Sequence, residues 1–378
     1  MRHASFTPLL QAALWQPPAA VAAWEAWVSE LDFDALDAAS MRLLPLVYHN
    51  LQNEVIHPLF ARWKGLQRHS WYHNQLLRVE IETVVQGLAA VNVPVLLLKG
   101  LALVAGYYHD WRLRPMHDAD LYTPAAHLPT AVHWLTAHGW ACSAAASLND
   151  AAYLAADHAA SFRKGRASLD LHWHVFNHYK YFTADATLWQ AATPLQWATT
   201  PVWALQPADQ LVHVCVHGVQ WEAPPLVQWA ADAWWIIQHP PDLSWARVLE
   251  LARRFRLALP LGDALGWLHH ALAAPIPPWV LAALAALPTT RQERFLYHQR
   301  TSAPDADPWM PLRGQAAFFL KARALRPPTQ PWQHWAQFLD MYQRLWAVPQ
   351  RRHLPLVAAR KAVRRARLIL QNTKSPGP

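Results

Sequence analysis

The sequence has few cysteines and few charged residues, and each shortage excludes a class of protein. Two cysteines in 378 residues are too few for a disulfide framework, so we expect a protein of the reducing cytoplasm. Charged residues make up only 15% of the chain, whereas tryptophan occurs 23 times and proline 31 times. Disordered proteins are instead rich in charge and poor in aromatic residues. The composition therefore predicts a globular protein with a tryptophan-rich core.

Long apolar runs are also lacking. A membrane-spanning helix needs about 20 apolar residues in succession. The best candidate, around 93–108, is interrupted by Pro94, Lys99 and Gly100. The N-terminal stretch contains one arginine, and its short apolar run is split by glutamines, which is not the pattern of a secretory signal peptide. We therefore expect neither a transmembrane helix nor a signal peptide.

The net charge of +8 is carried by the C-terminal end of the chain. Residues 349–378 contain eight of the 33 basic side chains and none of the 25 acidic ones, so the rest of the chain is neutral. A neutral body does not favour a groove for extended nucleic acid. The tail predicts an amphipathic helix over Leu354–Leu370. Its cationic side could contact an anionic membrane or nucleic acid, or remain solvated.

The spacing of apolar residues predicts an α+β fold, with a small mixed β-sheet core flanked by N-terminal and C-terminal helical regions. Helical spacing continues to about residue 90 and returns after residue 206, where proline-rich joints separate the helices. The stretch between them alternates short strands with helices. The predicted regions are an N-terminal helical cap at 1–90, an α/β core at 91–206, a helical domain at 207–348 and a basic amphipathic tail at 349–378.

Short apolar or alternating runs predict the strands of the core. Val93–Leu98 is nearly continuous in apolar residues, as expected of a strand buried on both faces. Alternating runs on either side of Gly165 predict a hairpin. The predicted strands are Val93–Leu98, Ala119–Tyr122, Trp140–Ser143, His158–Arg163 and Ala167–Val175, and helices are predicted at Leu66–Val91, 312–325 and 331–346, among others.

Two aspartates in this core lie two residues apart. On a strand, Asp118 and Asp120 point to one face, and their carboxylates repel each other unless a cation lies between them. Mg²⁺ prefers such hard oxygen ligands together with substrate phosphates. Asp170 alternates with apolar residues on a later strand and would supply a third carboxylate. We predict that these three residues bind Mg²⁺ or Mn²⁺ and are catalytic, with Asp170 also able to accept a proton.

A candidate phosphate site precedes the aspartates. Lys99 and Gly100 lie where a buried strand turns into a helix, and a glycine there allows a phosphate to approach the backbone. Arg112 and Arg114 are close enough in sequence to reach a triphosphate, and guanidinium groups suit phosphate oxygens. We predict that these four residues bind the nucleotide phosphates.

The stretch LLLKGLALVAGYYHDWRLRPMHDADLY at 96–122 resembles the signature of the uncharacterised nucleotidyltransferase family of the DNA polymerase β-like superfamily. The segments LDLHW, HVCVHG and LVQWAADAWW are also similar to that family, so the resemblance covers about residues 90–240. It implies metal-dependent transfer of a nucleoside monophosphate from a nucleoside triphosphate (NTP) to a hydroxyl. The superfamily more often has Gly-Ser in the phosphate turn, whereas here Leu101 follows Gly100.

The remaining polar residues leave alternatives open. His217 and Asp232 are predicted to link the helical domain to the active-site face and are candidates, with His172, for substrate contact. His213 and His217 are four residues apart on a helix, so a histidine-based zinc hydrolase is one alternative. A catalytically silent module that binds a nucleotide or a partner protein is another. The acceptor stays open between a small sugar or metabolite, a protein side chain and an RNA end.

Overall fold

The computed structural model describes most of the chain up to residue 303 and scattered positions after it. The described residues are 6–29, 31, 36–149, 153–154, 157–176, 182–197, 200–220, 227–238, 243–303, 313, 335–336, 338–339, 342–343, 346, 348–361 and 363. The chain divides into two compact units, Met1–Ala303 and Pro304–Pro378. The division into four regions expected from the sequence stays a prediction.

In the described residues, four helices, α1 to α4, precede the sheet. Asp37 caps α3, because its side chain accepts hydrogen bonds from the backbone of Ala39 and Ser40. The last of the four is 32 residues long and begins earlier than Leu66, the predicted start. It ends where Asn92 adopts a left-handed φ of 57°. The helices are α1 (Thr7–Leu14), α2 (Ala19–Val28), α3 (Ala38–Leu51) and α4 (Leu59–Ala90).

The sheet has six strands in the order β3-β4-β2-β1-β6-β5. The pairs β1–β6 and β2–β4 are parallel, and the other three pairs are antiparallel. The predicted α+β class with a small mixed sheet is therefore confirmed. The strands are β1 (Leu96–Leu98), β2 (Ala119–Tyr122), β3 (Ala159–Lys164), β4 (Ala167–His172), β5 (Thr193–Trp197) and β6 (Thr200–Ala204).

The structure corrects the strand prediction in two ways. The segment Trp140–Ser143 is not a strand, since it contributes a single bridge from Ala141 to Arg163. The strands β5 and β6 were not predicted, because each carries a proline, which usually argues against a strand. Proline is tolerated here because β5 lies at the edge of the sheet and β6 pairs with β1 only at Trp203 and Ala204.

The two faces of the sheet are covered by different helices. One face, with Leu97, Leu121 and Leu171, packs in a core with the second half of α4 and with α6 (Leu128–Ala137). The other face, with Leu98 and Tyr122, belongs to a core formed with α1 to α3 and the helices that follow the sheet. Because side chains alternate along a strand, the polar residues of β2 and β4 face this second group of helices.

A short helix follows β1. Among the described residues of the first unit, one further helix precedes β5 and six follow β6. The helix after β1 is α5 (Lys99–Leu103), which continues as a π-helical turn (Val104–Tyr108). The others are α7 (Phe182–Gln190), α8 (Pro207–Gly218), α9 (Gln228–Gln238), α10 (Trp245–Arg254), α11 (Ala258–Leu272), α12 (Pro278–Ala286) and α13 (Arg291–Thr301). The helix α13 was not predicted, although Thr290 and Glu293 form a capping box that is readable in the sequence.

The second unit is described only in part. Tyr342, Val348 and Leu354 form a small apolar cluster, and residues 354–361 are helical. The helix predicted at 312–325 and most of 331–346 lie outside the described residues, as does the end of the basic tail after residue 363. Among the described residues, no helix is both long enough and apolar enough to cross a membrane.

Candidate active site

Asp120 and Asp170 are brought together by the parallel pairing of β2 with β4. They are opposite each other in the register, so their side chains leave the same face of the sheet. Oxygen atoms of Asp120 and Asp170 and a ring nitrogen of His172 all lie within 4.8 Å of one another. Among the described residues, these three side chains form a group that could bind a metal ion. Asp118 lies just before β2, is exposed and stands outside this close group.

Asp120 is held as a carboxylate by two donors. Lys99 Nζ lies 2.6 Å from Asp120 Oδ1, and His172 Nε2 donates to the same oxygen at 2.9 Å. Burial alone would raise the pKa of Asp120, but the ammonium and the imidazole more than offset it, so the pKa lies well below its usual range. Burial likewise opposes the charge of Lys99, yet the neighbouring carboxylates raise its pKa above the ordinary value. The pair is therefore ionised at neutral pH.

The other two carboxylates have different surroundings. Ser161, opposite Asp170 on β3, donates its hydroxyl to Asp170 Oδ1 at 2.6 Å. Asp118 has a raised pKa, because it is partly desolvated and lies near the charges of Asp120 and Asp170. A cation placed among the three carboxylates would relieve this repulsion, as expected of a metal site.

A cleft of about 350 Å³ opens beside these carboxylates. Its lining comes from the start of α5, the loop before β2, and the helices α3, α8 and α9. The lining side chains that carry polar groups are Arg42, Lys99, Arg114, His117, Asp118, Asp120, His213, His217, Gln228, Trp229 and Asp232. The cleft thus joins the carboxylates to residues of helices that precede and follow the sheet in sequence.

Arg114 is bound to α9 by a two-pronged ion pair. Its Nε donates to Asp232 Oδ1 and its Nη2 to Asp232 Oδ2, both at 2.8 Å. The hydroxyl of Tyr108 donates to Asp232 Oδ1, also at 2.8 Å. Burial opposes the charge of Arg114, but Asp232 raises its pKa above the ordinary value. Burial and the same carboxylate raise the pKa of Tyr108, so this phenol stays protonated. The group connects the loop before β2 to α9.

The loop before β2 is also fixed from α4. Asn74 is fully buried, and its side-chain amide donates to the carbonyl oxygens of Trp111 at 2.7 Å and Arg114 at 2.9 Å. Its amide oxygen accepts a hydrogen bond from Met116 N at 3.2 Å. A single side chain therefore binds three backbone groups of residues 111–116, which lead directly into Asp118.

Lys99 and Gly100 are the first residues of α5 and make the tight turn that directly follows β1. Lys99 has a φ of 43°, a left-handed conformation that costs a non-glycine residue about 1–2 kcal/mol. A Cβ atom added to Gly100 would lie 2.5 Å from Arg114 Nη1 and 2.6 Å from Met116 Sδ. The absence of a side chain at Gly100 thus allows the close approach of the loop before β2.

Helices α8 and α9 contribute neutral polar groups to the cleft. His213 is buried, and burial together with the charge of Lys99 lowers its pKa to about 3. The same two effects lower the pKa of His217 well below its ordinary value, so both imidazoles are neutral at pH 7. Among the described residues, His213 Nδ1 and Gln228 Oε1 have no hydrogen-bond partner. Within the described part of the chain, His213 and His217 do not belong to a group of three metal-ligating side chains.

The predicted site residues separate into three groups. Lys99, Gly100, Arg114, Asp118, Asp120, His217 and Asp232 line the cleft. Asp170 and His172 adjoin Asp120 from β4 without lining the cleft itself. Arg112 is directed elsewhere: it pairs with Asp110 at 2.7 Å on the exposed part of the loop and does not line the cleft.

Sequence reasoning missed three residues that build the site. Arg42 on α3 lines the cleft and lowers the pKa of Asp118 by its charge, and Gln228 lines it from α9. Asn74 positions the loop. The signal for Asn74 was a polar residue on the buried stripe of α4, although Gln67 and Ser70 on the same stripe are polar as well. No sequence pattern distinguishes Arg42 from other helix arginines.

Residues 33–273, well over half of the chain, match the model of a protein family described as "Uncharacterised nucleotidyltransferase". The chain belongs to this family. The resemblance of residues 96–122 to the uncharacterised nucleotidyltransferase family is therefore confirmed. Among solved structures, the chain is similar to an antigenic nucleotidyltransferase-like protein from Paracoccidioides brasiliensis, with 17% identity over 54% of this chain and 95% of that chain and a TM-score of 0.35. No curated protein matches the chain.

The donor atoms at the site fit a divalent metal ion. Mg²⁺ usually binds through one or two carboxylates and completes its shell with water and phosphate oxygens. Asp120 and Asp170 offer carboxylates on adjacent strands, with Asp118 close by. His172 donates a hydrogen bond from Nε2 to Asp120 and so orients that carboxylate.

Proposed function

We propose that this member of the uncharacterised nucleotidyltransferase family transfers a nucleoside monophosphate from an NTP such as ATP to a hydroxyl of an acceptor, with Mg²⁺ or Mn²⁺ as cofactor. The observation that carries the proposal is the in-register pair of Asp120 and Asp170 beside a cleft that also contains Lys99 and Asp118. A cytoplasmic location is part of the proposal, because both cysteines are free thiols.

In the proposed reaction the chain supplies charge, orientation and a proton acceptor. Asp118, Asp120 and Asp170 would hold the metal, which would withdraw charge from the α-phosphate and stabilise the departing pyrophosphate. Asp170 accepts the proton of the acceptor hydroxyl, and the hydroxyl oxygen forms a bond to the α-phosphorus. The bond from the α-phosphorus to the bridging oxygen breaks, and its electron pair leaves with pyrophosphate.

The residues around the carboxylates would position the nucleotide. Lys99 lines the cleft and carries a positive charge within reach of phosphate oxygens. Arg114 lines the cleft as well, but both of its forked donors are bound to Asp232. We therefore assign phosphate binding chiefly to Lys99, and we assign to Arg114 the positioning of the loop before β2. Arg112 is not included in the proposed site.

The acceptor is proposed to be a small molecule or a protein hydroxyl. The neutral body of the chain does not favour an extended nucleic acid. The cationic tail at 349–378 remains a candidate for contact with an anionic membrane or other anionic partner. His217, Gln228 and Asp232 line the part of the cleft formed by α8 and α9 and are candidates for contact with the base or the acceptor.

A catalytically silent nucleotide-binding module is the second candidate. It is favoured by Leu101, which is fully buried and has no hydroxyl to offer a phosphate in the turn after Gly100. The two candidates differ in turnover and agree in binding.

The decisive experiment measures pyrophosphate release from each of the four NTPs with Mg²⁺ or Mn²⁺, in the presence of a panel of hydroxyl acceptors. We expect metal-dependent release by the wild type and its loss in Asp118→Ala/Asp120→Ala. Asp110→Asn is the matched control, since Asp110 precedes the same strand but pairs with Arg112 away from the cleft. Nucleotide binding without turnover in the wild type would support the silent module instead.

A further inference from the structure

We propose that Lys99 is a movable counter-cation: its ammonium neutralises Asp120 while the cleft holds no divalent metal, and it moves to the phosphates when a metal-bound nucleotide enters. This inference rests on the proposed function and concerns the order in which that site is filled. It makes metal binding to the free protein weak and couples it to nucleotide binding.

Asp120 Oδ1 is already occupied by two hydrogen-bond donors. Asp120 Oδ1 accepts from Lys99 Nζ at 2.6 Å and from His172 Nε2 at 2.9 Å. A carboxylate oxygen offers about two lone-pair directions, so both are in use. A metal ion can therefore reach this oxygen only after one donor leaves.

The two donors to Asp120 differ in how freely they can leave it. His172 is 2% exposed and is held on β4, where its backbone pairs with Tyr122. The side chain of Lys99 is 26% exposed, lines the cleft and is attached through four rotatable methylene groups. An ammonium next to a divalent cation is repelled by it, whereas an imidazole that donates from Nε2 can remain as a neutral supporting group. Lys99 is the donor that can move.

The ammonium of Lys99 needs a new anionic partner when it leaves Asp120. The backbone of Lys99 is fixed in the turn before Gly100, so the movement is confined to its side chain. The cleft beside it is where the proposed nucleotide would bring phosphate oxygens. Arg114 illustrates the contrast, because its guanidinium is bound to Asp232 through two hydrogen bonds and has no comparable freedom. A nucleotide therefore both supplies ligands to the metal and gives Lys99 a new anionic partner.

The consequence is a reciprocal coupling between the metal and the nucleotide. If the nucleotide removes Lys99 from Asp120, it raises the affinity for the metal, and the metal raises the affinity for the nucleotide by the same factor. If Lys99 instead only orients Asp120, its removal weakens metal binding in every state. The two roles predict changes of opposite sign.

The test measures Mn²⁺ binding to the full chain without nucleotide, by the electron paramagnetic resonance signal of free Mn²⁺. The variants are Lys99→Met, which keeps the stem without the ammonium, and Lys99→Gly, which also suits the left-handed φ. Lys164→Met is the matched control, because Lys164 pairs with Glu80 at 3.6 Å outside the cleft. Binding of the Mn²⁺ complex of an α,β-methylene ATP analogue is measured on the same proteins by calorimetry.

We expect both Lys99 variants to bind Mn²⁺ about tenfold more tightly than the wild type without nucleotide, and the Mn²⁺–analogue complex about tenfold more weakly, within the usual range of coupling between two sites. Lys164→Met should match the wild type in both measurements. Mn²⁺ binding that is unchanged or weaker in the Lys99 variants, and still abolished by Asp120→Asn, would overturn the movable role and leave the metal site intact. If the wild type and both variants fail to bind Mn²⁺, the proposed function falls together with this inference.

Discussion

The two sides of the cleft differ in how their charges are balanced. The carboxylate side consists of Asp118 and Asp120, with Asp170 adjoining Asp120 from β4 and the ammonium of Lys99 on Asp120. The helix side consists of the Arg114–Asp232 pair with the neutral imidazoles of His213 and His217. Negative charge therefore exceeds the bonded positive charge on the first side, whereas the second is internally neutralised. The carboxylate side therefore suits the proposed chemistry, which needs a cation. The helix side, whose charges are already paired, serves as the scaffold of the cleft.

The first prediction breaks the balance on the helix side. Asp232→Ala leaves the buried guanidinium of Arg114 without its partner, which is expected to lower the free energy of unfolding by about 3–5 kcal/mol. Replacing both charges, in Arg114→Met/Asp232→Leu, should recover most of that loss, because no buried charge is left unpaired. Urea unfolding of the variants measures the difference.

The exposed pair Arg112–Asp110 in the same loop is the control for this prediction. The side chain of Arg112 is 52% exposed, so removing its partner in Asp110→Ala should cost less than about 1 kcal/mol. Equal losses in Asp232→Ala and Asp110→Ala would show that the Arg114–Asp232 pair is not the structural link between the loop and α9.

The second prediction tests the link from α4 to the carboxylate side. Asn74→Ala leaves two carbonyl oxygens and one amide of residues 111–116 without their partner, and we expect a loss of about 3 kcal/mol in the free energy of unfolding. Because this loop leads into Asp118, Mn²⁺ binding should weaken as well. Gln52→Ala, which removes an exposed hydrogen bond to His49 O, is the control and should change neither quantity. A destabilised Asn74→Ala with unchanged Mn²⁺ affinity would separate the loop from the metal site.

These two links show where sequence reasoning stops. The period of two along a strand is enough to put Asp120 and Asp170 on polar faces of their strands, and parallel pairing then makes them neighbours. The resemblance at 96–122 likewise identifies the family. Both signals are local in sequence or belong to a continuous motif.

The remaining parts of the site depend on contacts between distant segments. Asn74 and Trp111 are 37 positions apart, and Arg114 and Asp232 are 118 apart, so no spacing rule connects them. For the same reason Arg114 was predicted as a phosphate ligand, although its forked donors are used by Asp232. The proline-containing strands β5 and β6 escaped prediction because what tolerates proline there, the edge position of β5 and the short pairing of β6 with β1, is a property of the assembled sheet.

The third prediction concerns the close packing at the turn between the two sides. Gly100→Ala brings a Cβ to 2.5 Å from Arg114 Nη1 and 2.6 Å from Met116 Sδ, so these side chains must shift. We expect a loss of about 1–3 kcal/mol in unfolding free energy, typical of overpacking. Gly106→Ala is the matched control. Among the described residues, its Cβ would meet no atom within 4 Å outside its chain neighbours and its own helix backbone, so the change should alter stability by less than about 1 kcal/mol. Equal losses of unfolding free energy in the two variants would mean that a Cβ at Gly100 is accommodated without the expected clash.

The fourth prediction uses pH to examine the neutral imidazoles of the helix side. Burial lowers the pKa of His213 to about 3 in the folded state, while in the unfolded chain it is about 6.5. Between these values the unfolded state binds the extra proton, so the contribution of His213 to stability is complete above about pH 6.5 and falls as the pH decreases. The loss approaches about 1.4 kcal/mol per pH unit for a single histidine.

His213→Leu removes this titration and places an apolar side chain in the buried position. The free energy of unfolding of the variant should therefore depend less steeply on pH between about 6 and 4 than that of the wild type, by up to about 1.4 kcal/mol per unit. His133→Gln, at an exposed position of α6, is the matched control for the loss of an imidazole. Identical slopes in His213→Leu and the wild type would mean that His213 binds its proton in the folded protein as readily as in the unfolded chain over this pH range. The helix side would then carry positive charge at the cleft in acid, and the contrast with the carboxylate side would there become one of opposite signs.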